Sequence, residues 1–535
     1  MARIVLTADR AIFTNFSGVG ALGFGLCVPY RLIPWFLEYF ILAPPVPITK
    51  NGRAKYAPYA LAKVEAALLA HGFSRNDVII TPPEFLDKVI SKDTKIVGIH
   101  VLDPQGLAPV SWTLRVLMGG GKTCTQYEFE RLMKKIRCLR RKYNFEVIIG
   151  GPGVWQLRGL EDKFGIDVLF EGEAERTFPE LVSKILRKEK PPKRVVGEQP
   201  NADEIPTIVT PSRNGVVEVT RGCPRRCHFC SPTMRKFRSI PLKKILKEAE
   251  LNLSHGARQI NLVTEDILIY GAKGLKFNQG AVMNLFRELI KLSRKYNVEK
   301  IGFSHVSLSS VIEMRKTVEF ITDICNFNEN EPCFPQVGLE SGSSRIVAMY
   351  FRGKAYPWKP EDWPRIVLEG TRIMNENYWY PCLTYIIGFP GSTPDDYVKT
   401  TELLEKLRDE GFKGWTFPLL LIPMGGTLIE RKARFQTLAQ LPPEAIECIT
   451  FGWKLSIKFS REIYPKLFRG LRNKIAKIVI EKSIDKALNI MENWIRALER
   501  DPSVIAERFS LWNVRALTST IVSWISAKIR AREVS

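Results

Sequence analysis

The 535-residue sequence predicts an α/β protein with three successive regions: an open parallel sheet, a parallel partial barrel and a helical tail. Short apolar strands alternate with amphipathic helices over residues 1–186 and again over 215–440, which is typical of parallel strands joined by helical crossovers. Residues 441–535 show helical periodicity alone. A chain of this length indicates two to four domains. Its 45% hydrophobic and 25% charged residues are typical of a globular protein with a large core.

The first region contains five predicted strands and four predicted helices. The strands lie at 3–8, 78–80, 96–101, 146–149 and 168–170, and the helices at 59–71, 83–90, 125–143 and 177–187. Residues 187–214 are basic and proline-rich, which indicates a linker. Together these elements predict a single open sheet covered by helices.

An apolar, aromatic insertion at residues 17–42 follows the first strand. Pro29 and Pro34 interrupt it, and it includes Arg31 and Glu38, so it cannot cross a bilayer as one helix. Two interpretations remain open. The insertion either packs as a lid between elements or presents a surface to lipid or another apolar substrate.

Cys223, Cys227 and Cys230 form a C-x3-C-x2-C triplet directly after a predicted strand at 215–220. Three thiolates on one tight loop suit an iron–sulfur cube, because each ligates one iron and the fourth iron stays open. A zinc site would require a fourth Cys or His at matching spacing. The ten cysteines are irregularly spaced and do not indicate a disulfide framework, so we expect a reducing compartment.

This pattern, with Phe229 as the aromatic residue before the last cysteine, resembles the radical S-adenosylmethionine (radical SAM) superfamily. The resemblance implies a [4Fe-4S] cluster whose open iron binds the amino and carboxylate groups of S-adenosylmethionine. It also implies reductive cleavage of the cosubstrate to a 5′-deoxyadenosyl radical, with electrons from an external donor of the ferredoxin or flavodoxin type. The cofactor supplies this chemistry, and the protein supplies orientation and exclusion of water.

Segments after the triplet resemble the superfamily's other motifs in the same order. Thr264–Asp266 follows a predicted strand, 336–342 resembles a G-x-E-S-G segment, and 383–391 resembles the element near the adenine. The resemblance assigns contacts with the cosubstrate to Phe229, Thr264, Glu265, Ser307, Glu340, Ser341, Arg345, Ile387 and Gly388. An acidic helix cap remains an equal alternative for 264–266.

Three further cysteines of the core, Cys325, Cys333 and Cys382, lack the close C-x2-C spacing of a second cluster. We expect them to be buried free thiols. Cys382 or Tyr385 could instead deliver a hydrogen atom to a substrate radical.

The first region also resembles the cobalamin-binding domain that precedes many radical SAM cores. The resemblance rests on 150–153 (Gly-Gly-Pro-Gly) and 167–173. That domain's cobalt-ligating motif is Asp-x-His-x-x-Gly, whereas here Asp103 is followed by Pro-Gln-Gly without a histidine. Bound cobalamin and a purely structural domain therefore both remain open.

The formal net charge of +23 suits nucleic acid, an anionic membrane surface or an acidic substrate, and also plain solubility. Basic amphipathic stretches at 468–480 and at 520–530, the second with Trp524, favour either a membrane surface or a helical cap on the barrel. Nucleic acid is less favoured, because no RNA-binding module is visible. Without a signal sequence or membrane span, we expect a cytoplasmic protein, or one peripheral at the inner face of the cell membrane.

As a whole, the chain resembles archaeal radical SAM proteins, and among these the glycerol dibiphytanyl glycerol tetraether (GDGT) ring synthases. The resemblance implies hydrogen abstraction from unactivated carbons of an apolar lipid and formation of cyclopentane rings in membrane lipids. The alternative is a cobalamin-dependent radical SAM methyltransferase or methylthiotransferase acting on RNA, protein or a small molecule. A nucleic-acid-binding protein with a structural cluster is the non-enzymatic alternative.

Overall fold

The computed structural model describes residues 2–18, 20–298, 300–467 and 474–501. The chain divides into two compact units. The first comprises residues 1–112, 121–304 and 424–430, and the second comprises 113–120, 305–423 and 431 onward. The first unit therefore combines the predicted N-terminal region with the first part of the predicted core. The units do not follow the predicted boundaries at 186, 214 and 440.

The predicted open sheet of the first unit is present and is entirely parallel. Its six strands are β1 (Ile4–Ala8), β2 (Val78–Ile80), β3 (Ile96–His100), β4 (Glu146–Gly150), β5 (Val168–Gly172) and β6 (Arg194–Gly197). Their order is β2-β1-β3-β4-β5-β6, with Val5 paired to Ile79 and Val97. Apolar side chains on both faces form two buried clusters, as expected for a parallel sheet covered by helices.

The prediction that residues 187–214 are only a linker is wrong for β6. Phe170 pairs with Val195 and Gly172 with Gly197, so residues 194–197 extend the sheet by one edge strand. The helices around the sheet are α1 (Arg10–Phe13), α2 (Trp35–Leu37), α3 (Tyr59–Ala70), α4 (Leu86–Val89), α5 (Pro109–Leu117), α6 (Cys124–Arg140), α7 (Glu161–Phe164) and α8 (Thr177–Leu186).

The first unit also contains the first strands of the predicted barrel region, which form a second parallel sheet of three strands. Its strands are β7 (Val216–Glu218), β10 (Ile260–Val263) and β11 (Ile301–Phe303), in the order β11-β10-β7. The short strands β8 (Thr220–Arg221) and β9 (Arg238–Ser239) pair antiparallel and enclose the cysteine loop. Helices α9 (Leu242–Ser254) and α10 (Gln279–Lys295) follow β9 and β10.

The second unit repeats the strand–helix alternation. It contains α11 (Leu308–Glu313), α12 (Arg315–Ile324), β12 (Gln336–Glu340), α13 (Ser344–Tyr350), α14 (Trp363–Glu376), β13 (Cys382–Ile387), α15 (Pro394–Asp409) and β14 (Trp415–Leu420). The three strands form a parallel sheet in the order β12-β13-β14. The α/β class predicted from the sequence is thus confirmed, with six parallel core strands in two sheets.

Two long helices, α16 (Pro443–Leu467) and α17 (Lys474–Arg500), come last in the described chain. Helix α16 packs on the sheet of the second unit, where Thr416 Oγ1 donates to the Gly452 carbonyl at 2.6 Å. Helix α16 ends before the two basic stretches, for which the choice between a helical cap and a membrane surface stays a prediction. The predicted basic stretch at 520–530, and part of that at 468–480, lie outside the described residues. Within the described residues, no helix is long and apolar enough to cross a membrane.

Candidate functional site

The cysteine loop leaves β8 through a turn that only glycine allows. Gly222 has φ +79°, and a Cβ there would lie 2.6 Å from the Lys236 carbonyl oxygen. The loop is closed by backbone bonds, in which Cys223 N donates to the Pro232 carbonyl at 3.2 Å and Cys230 N to the Cys227 carbonyl at 3.3 Å. Cys227 is buried, and the other two cysteines are half-buried. The loop is thus a fixed scaffold for three thiols.

The donor set of three thiols on one loop suits an iron–sulfur cube. Among the described residues, no three His, Cys, Asp or Glu side chains are arranged to hold one metal ion. Thiolates of a cube bind different irons, so their sulfurs lie further apart than the ligands of one zinc. Burial raises the pKa of the Cys223 thiol, so metal binding is needed to hold it as a thiolate.

Two buried contacts fasten the cysteine loop to the turn after β10. The guanidinium of Arg225, which lies between two of the cysteines in the sequence, pairs with the Asp266 carboxylate at 3.1 Å. The hydroxyls of Thr220 and Thr264 are 2.6 Å apart. Because both contacts exclude water, they define the position of the turn relative to the loop.

The predicted acceptors in this turn differ in their surroundings. Thr264 is buried, and its hydroxyl also accepts from the Asp266 amide at 3.2 Å. Glu265 and Phe229 are half-buried. Thr264 therefore holds the turn together, while acceptance by Glu265 from the cosubstrate's ammonium group stays a prediction. The alternative of an acidic cap also applies, since Asp266 caps the short helical turn at Ile267–Ile269.

A second buried ion network anchors the strand that leads into the cysteine loop. Arg221 donates to Glu218 at 2.8 Å, to Glu173 at 2.6 Å and to Glu175 at 2.7 Å. Arg238 on the paired strand β9 also contacts Glu173, at 2.5 Å. The loop after β5 and the base of the cysteine loop are therefore one buried polar unit.

In the second unit, the predicted G-x-E-S-G segment forms a strained turn at the end of β12. Glu340 has φ +62° and its buried carboxylate pairs with Lys354. A Cβ at Gly338 would lie 1.9 Å from Glu340 Oε1 and 2.0 Å from Lys354 Nζ. Trp363 Nε1 donates to the carbonyls of Leu339 and Ser341, both at 3.0 Å. A side chain at 338 would therefore have to displace the ends of the Glu340–Lys354 ion pair.

Arg345 is already engaged by the protein. Its guanidinium pairs with Asp396 and donates to the Gly391 carbonyl at 2.9 Å. Binding of the cosubstrate's carboxylate by Arg345 stays a prediction, and it requires this pair to open.

The remaining predicted contacts of the second unit lie at strand ends. Ser307 precedes α11, with its hydroxyl 3.5 Å from that of Ser309. Ile387 is the buried last residue of β13, and Gly388 follows at φ +93°. Their contact with the cosubstrate stays a prediction.

The two predicted hydrogen donors, Cys382 and Tyr385, lie at different places on β13. Cys382 is the first residue of β13, at the opposite end from the carboxyl rim where chemistry is expected. Tyr385 is fully buried against α16 and donates to the Cys448 carbonyl at 2.7 Å. Transfer of a hydrogen atom from either side chain to a substrate radical stays a prediction. As expected, Cys325 and Cys333 are buried free thiols.

The protein's own insertion packs near the reversal point of the large sheet. In an open parallel sheet of this order, ligands bind outside the carboxyl ends of β1 and β3. Here Leu26, Leu42 and Ala43 of the insertion form a buried cluster with Ala11 and Cys124, the latter two at the start of α1 and α6. This cluster is apolar apart from the Cys124 thiol, and binding of cobalamin at this edge of the sheet stays a prediction.

Several residues of the site were missed by sequence reasoning. The sequence pattern did not indicate the ion pair between Arg225 and Asp266. It also did not indicate Lys354, which pairs with the predicted Glu340. The one available signal was Asp266 directly after the predicted Thr264–Glu265 pair, because an acid behind a strand often caps the next turn.

Residues 217–404 match the family model described as the Radical SAM superfamily. The chain therefore contains a radical SAM domain, the class of domain that uses a [4Fe-4S] cluster and S-adenosylmethionine. The cysteine triplet and all the other predicted site residues fall inside this match.

Two curated relatives share this part of the chain. A tRNA-2-methylthio-N(6)-dimethylallyladenosine synthase from Rickettsia canadensis (strain McKiel) is 25% identical over 296 residues, which are 52% of this chain and 60% of that protein. The ribosomal protein uS12 methylthiotransferase RimO from Prosthecochloris aestuarii (strain DSM 271 / SK 413) is 26% identical over 205 residues, which are 38% and 43% of the two chains. The chain thus spans about half the length of the curated relatives it matches.

A solved structure extends the likeness beyond the core. The radical S-adenosylmethionine methyltransferase TsrM from Kitasatospora setae, determined with cobalamin and a [4Fe-4S] cluster bound, is 16% identical and has a TM-score of 0.52. The match covers 81% of this chain and 74% of TsrM. At this identity it shows a shared fold.

Proposed function

We propose that the protein is a radical SAM enzyme that transfers a methylthio or methyl group to RNA, protein or a small molecule. The observation that carries this proposal is the likeness of the radical SAM core to tRNA and ribosomal-protein methylthiotransferases. The formal charge of +23 supports RNA as the first substrate to test. The electron comes from an external donor of the ferredoxin or flavodoxin type.

The chain's own residues would bind and orient the reactants. When bound, the cluster supplies the electron that converts S-adenosylmethionine to a 5′-deoxyadenosyl radical, which abstracts hydrogen from an unactivated carbon. Cys223, Cys227 and Cys230 would hold the cluster, and Glu265 would accept from the ammonium group of the cosubstrate. The buried Arg225–Asp266 and Thr220–Thr264 contacts would keep these groups in register and exclude water.

Mass spectrometry of isotope-labelled products tests the proposal. The reconstituted, reduced protein is incubated with methyl-deuterated S-adenosylmethionine, a sulfide source and either RNA or ribosomal protein in separate reactions. The expected product is an RNA or peptide heavier by one labelled methyl or methylthio group. The control is a variant with Cys223, Cys227 and Cys230 replaced by alanine. Formation of 5′-deoxyadenosine without any labelled product would argue against group transfer to these substrates.

Ring formation in tetraether lipids is the second candidate, and one specific observation favours it. The insertion exposes large apolar side chains, with Trp35 66% exposed, Phe40 60% and Phe24 43%. Such a surface suits contact with lipid. Cells that make acyclic tetraethers and express the protein should then contain tetraethers lighter by two hydrogens per ring. An unchanged lipid profile would remove this candidate.

A further inference from the structure

A buried ion pair joins the cysteine loop to the turn after β10. Arg225 follows Cys223 by two residues and precedes Cys227 by two, and its side chain is 2% exposed. Its partner Asp266 is 1% exposed, at an N–O distance of 3.1 Å. The other carboxylate oxygen of Asp266 accepts from the Leu268 amide at 3.2 Å, so the acid is held from both sides.

A charge in this position acts on the cluster through protein rather than through water. Reduction adds one negative charge to the cluster, so a nearby cation stabilises the reduced form and a nearby carboxylate destabilises it. Screening by solvent and salt is weak for groups buried to this extent. Arg225 lies within the ligand loop itself, whereas Asp266 lies on the neighbouring turn. The two charges therefore act on the same centre with opposite signs.

We propose that Arg225 and Asp266 are positioning residues that set the reduction potential of the cluster. Arg225 makes the cluster easier to reduce, and Asp266 limits this effect while it fastens the cysteine loop to the turn that carries Glu265. The inference depends on the cluster and not on the proposed substrate. It is therefore tested without any substrate, and failure of group transfer leaves it untouched.

The test compares reduction potentials of reconstituted full-length variants, followed by electron paramagnetic resonance during redox titration. Arg225→Met should shift the potential to more negative values, and Asp266→Asn should shift it to more positive values. Arg225→Lys, which keeps the charge, should lie closer to the wild type than Arg225→Met. Lys236→Met is the matched control, since Lys236 is an exposed cation just after the loop and should leave the potential unchanged.

Iron content and thermal unfolding of each variant show whether the loop still assembles. A purely structural role would lower cluster content or stability in both variants without shifts of opposite sign. Shifts of the same sign, or no shift in variants that hold a full cluster, would overturn the inference. Should Arg225→Met fail to hold a cluster, the sign of the shift in Asp266→Asn decides it, since a negative shift or no shift there would overturn the inference.

Discussion

Lys354 shows how much of the site depends on residues that no motif indicates. It neutralises Glu340, whose carboxylate is buried at the strained end of β12. Lys354→Met would leave that carboxylate without its ion-pair partner, which typically costs about 3–5 kcal/mol. We expect a correspondingly lower free energy of unfolding, measured by urea denaturation, and weaker binding of S-adenosylmethionine.

Lys399→Met is the matched control for this prediction. Lys399 pairs with Asp395 on the surface, where solvent screens the interaction, so its loss should change stability little. If both variants lose the same stability, the Lys354–Glu340 pair is no more important than a surface pair. Unchanged stability in Lys354→Met would contradict the role given to the buried pair.

Single residues were predictable from the sequence only where chemistry restricts the residue type. The cysteine triplet has few alternative explanations, because its spacing and its position after a strand both suit an iron–sulfur cluster. Asp266 and Lys354 are acidic and basic residues among many, and only the fold brings them to Arg225 and Glu340. The contact of Tyr385 with α16 likewise depends on the fold, since β13 directs the side chain toward that helix.

Near the insertion, residues 17–42, a buried carboxyl is expected to make the free energy of unfolding depend on pH. Asp9, which caps α1 beneath it, is buried, and burial raises the pKa of this carboxyl to about 8, with smaller contributions from Glu128 and Asp103. Its protonated form is favoured in the folded state. The resulting stability is fully present below the unfolded pKa of about 3.8 and is lost as pH rises through about 8.

Asp9→Asn should therefore reduce the fall in unfolding free energy between about pH 5 and pH 8. Asparagine still accepts a hydrogen bond from the Ile12 amide, so the cap is kept. Part of the slope should persist, because burial also raises the pKa of Glu38 to about 7. Denaturation at several pH values measures this slope, and Asp395→Asn on the surface is the control. An unchanged slope in Asp9→Asn would show that Asp9 is ionised in the folded protein.

Elements were predictable where their periodicity was strong. The buried strands of the large sheet are short apolar runs, and they were placed within a few residues. Strand β6 was missed because it is an edge strand with largely exposed side chains in a basic, proline-rich stretch, and its backbone pairing with β5 leaves no apolar pattern. The aromatic insertion was recognised, but its inward face against Ala11 and Cys124 was not predictable from composition.

For the whole molecule, the alternation of strands and helices was sufficient to predict parallel sheets, because parallel strands need helical crossovers. The division into two units was not predictable, since it depends on contacts such as those that place residues 424–430 with the first unit. The substrate was not predictable either. The motifs indicate how a radical is made. The features that would determine substrate specificity, namely the aromatic insertion and the positive net charge, each have several physical explanations.

Cys223, Cys227 and Cys230 are expected to hold a cluster that cleaves S-adenosylmethionine. The most direct test uses two measurements after anaerobic reconstitution. The first is absorbance at about 400 nm, which is typical of iron–sulfur proteins. The second is the amount of 5′-deoxyadenosine formed after reduction. The wild type and a Cys138→Ser control, altered at an exposed cysteine outside the loop, should show both signals. Replacement of Cys223, Cys227 and Cys230 by alanine should abolish both. Either signal surviving in the triple variant would contradict the account.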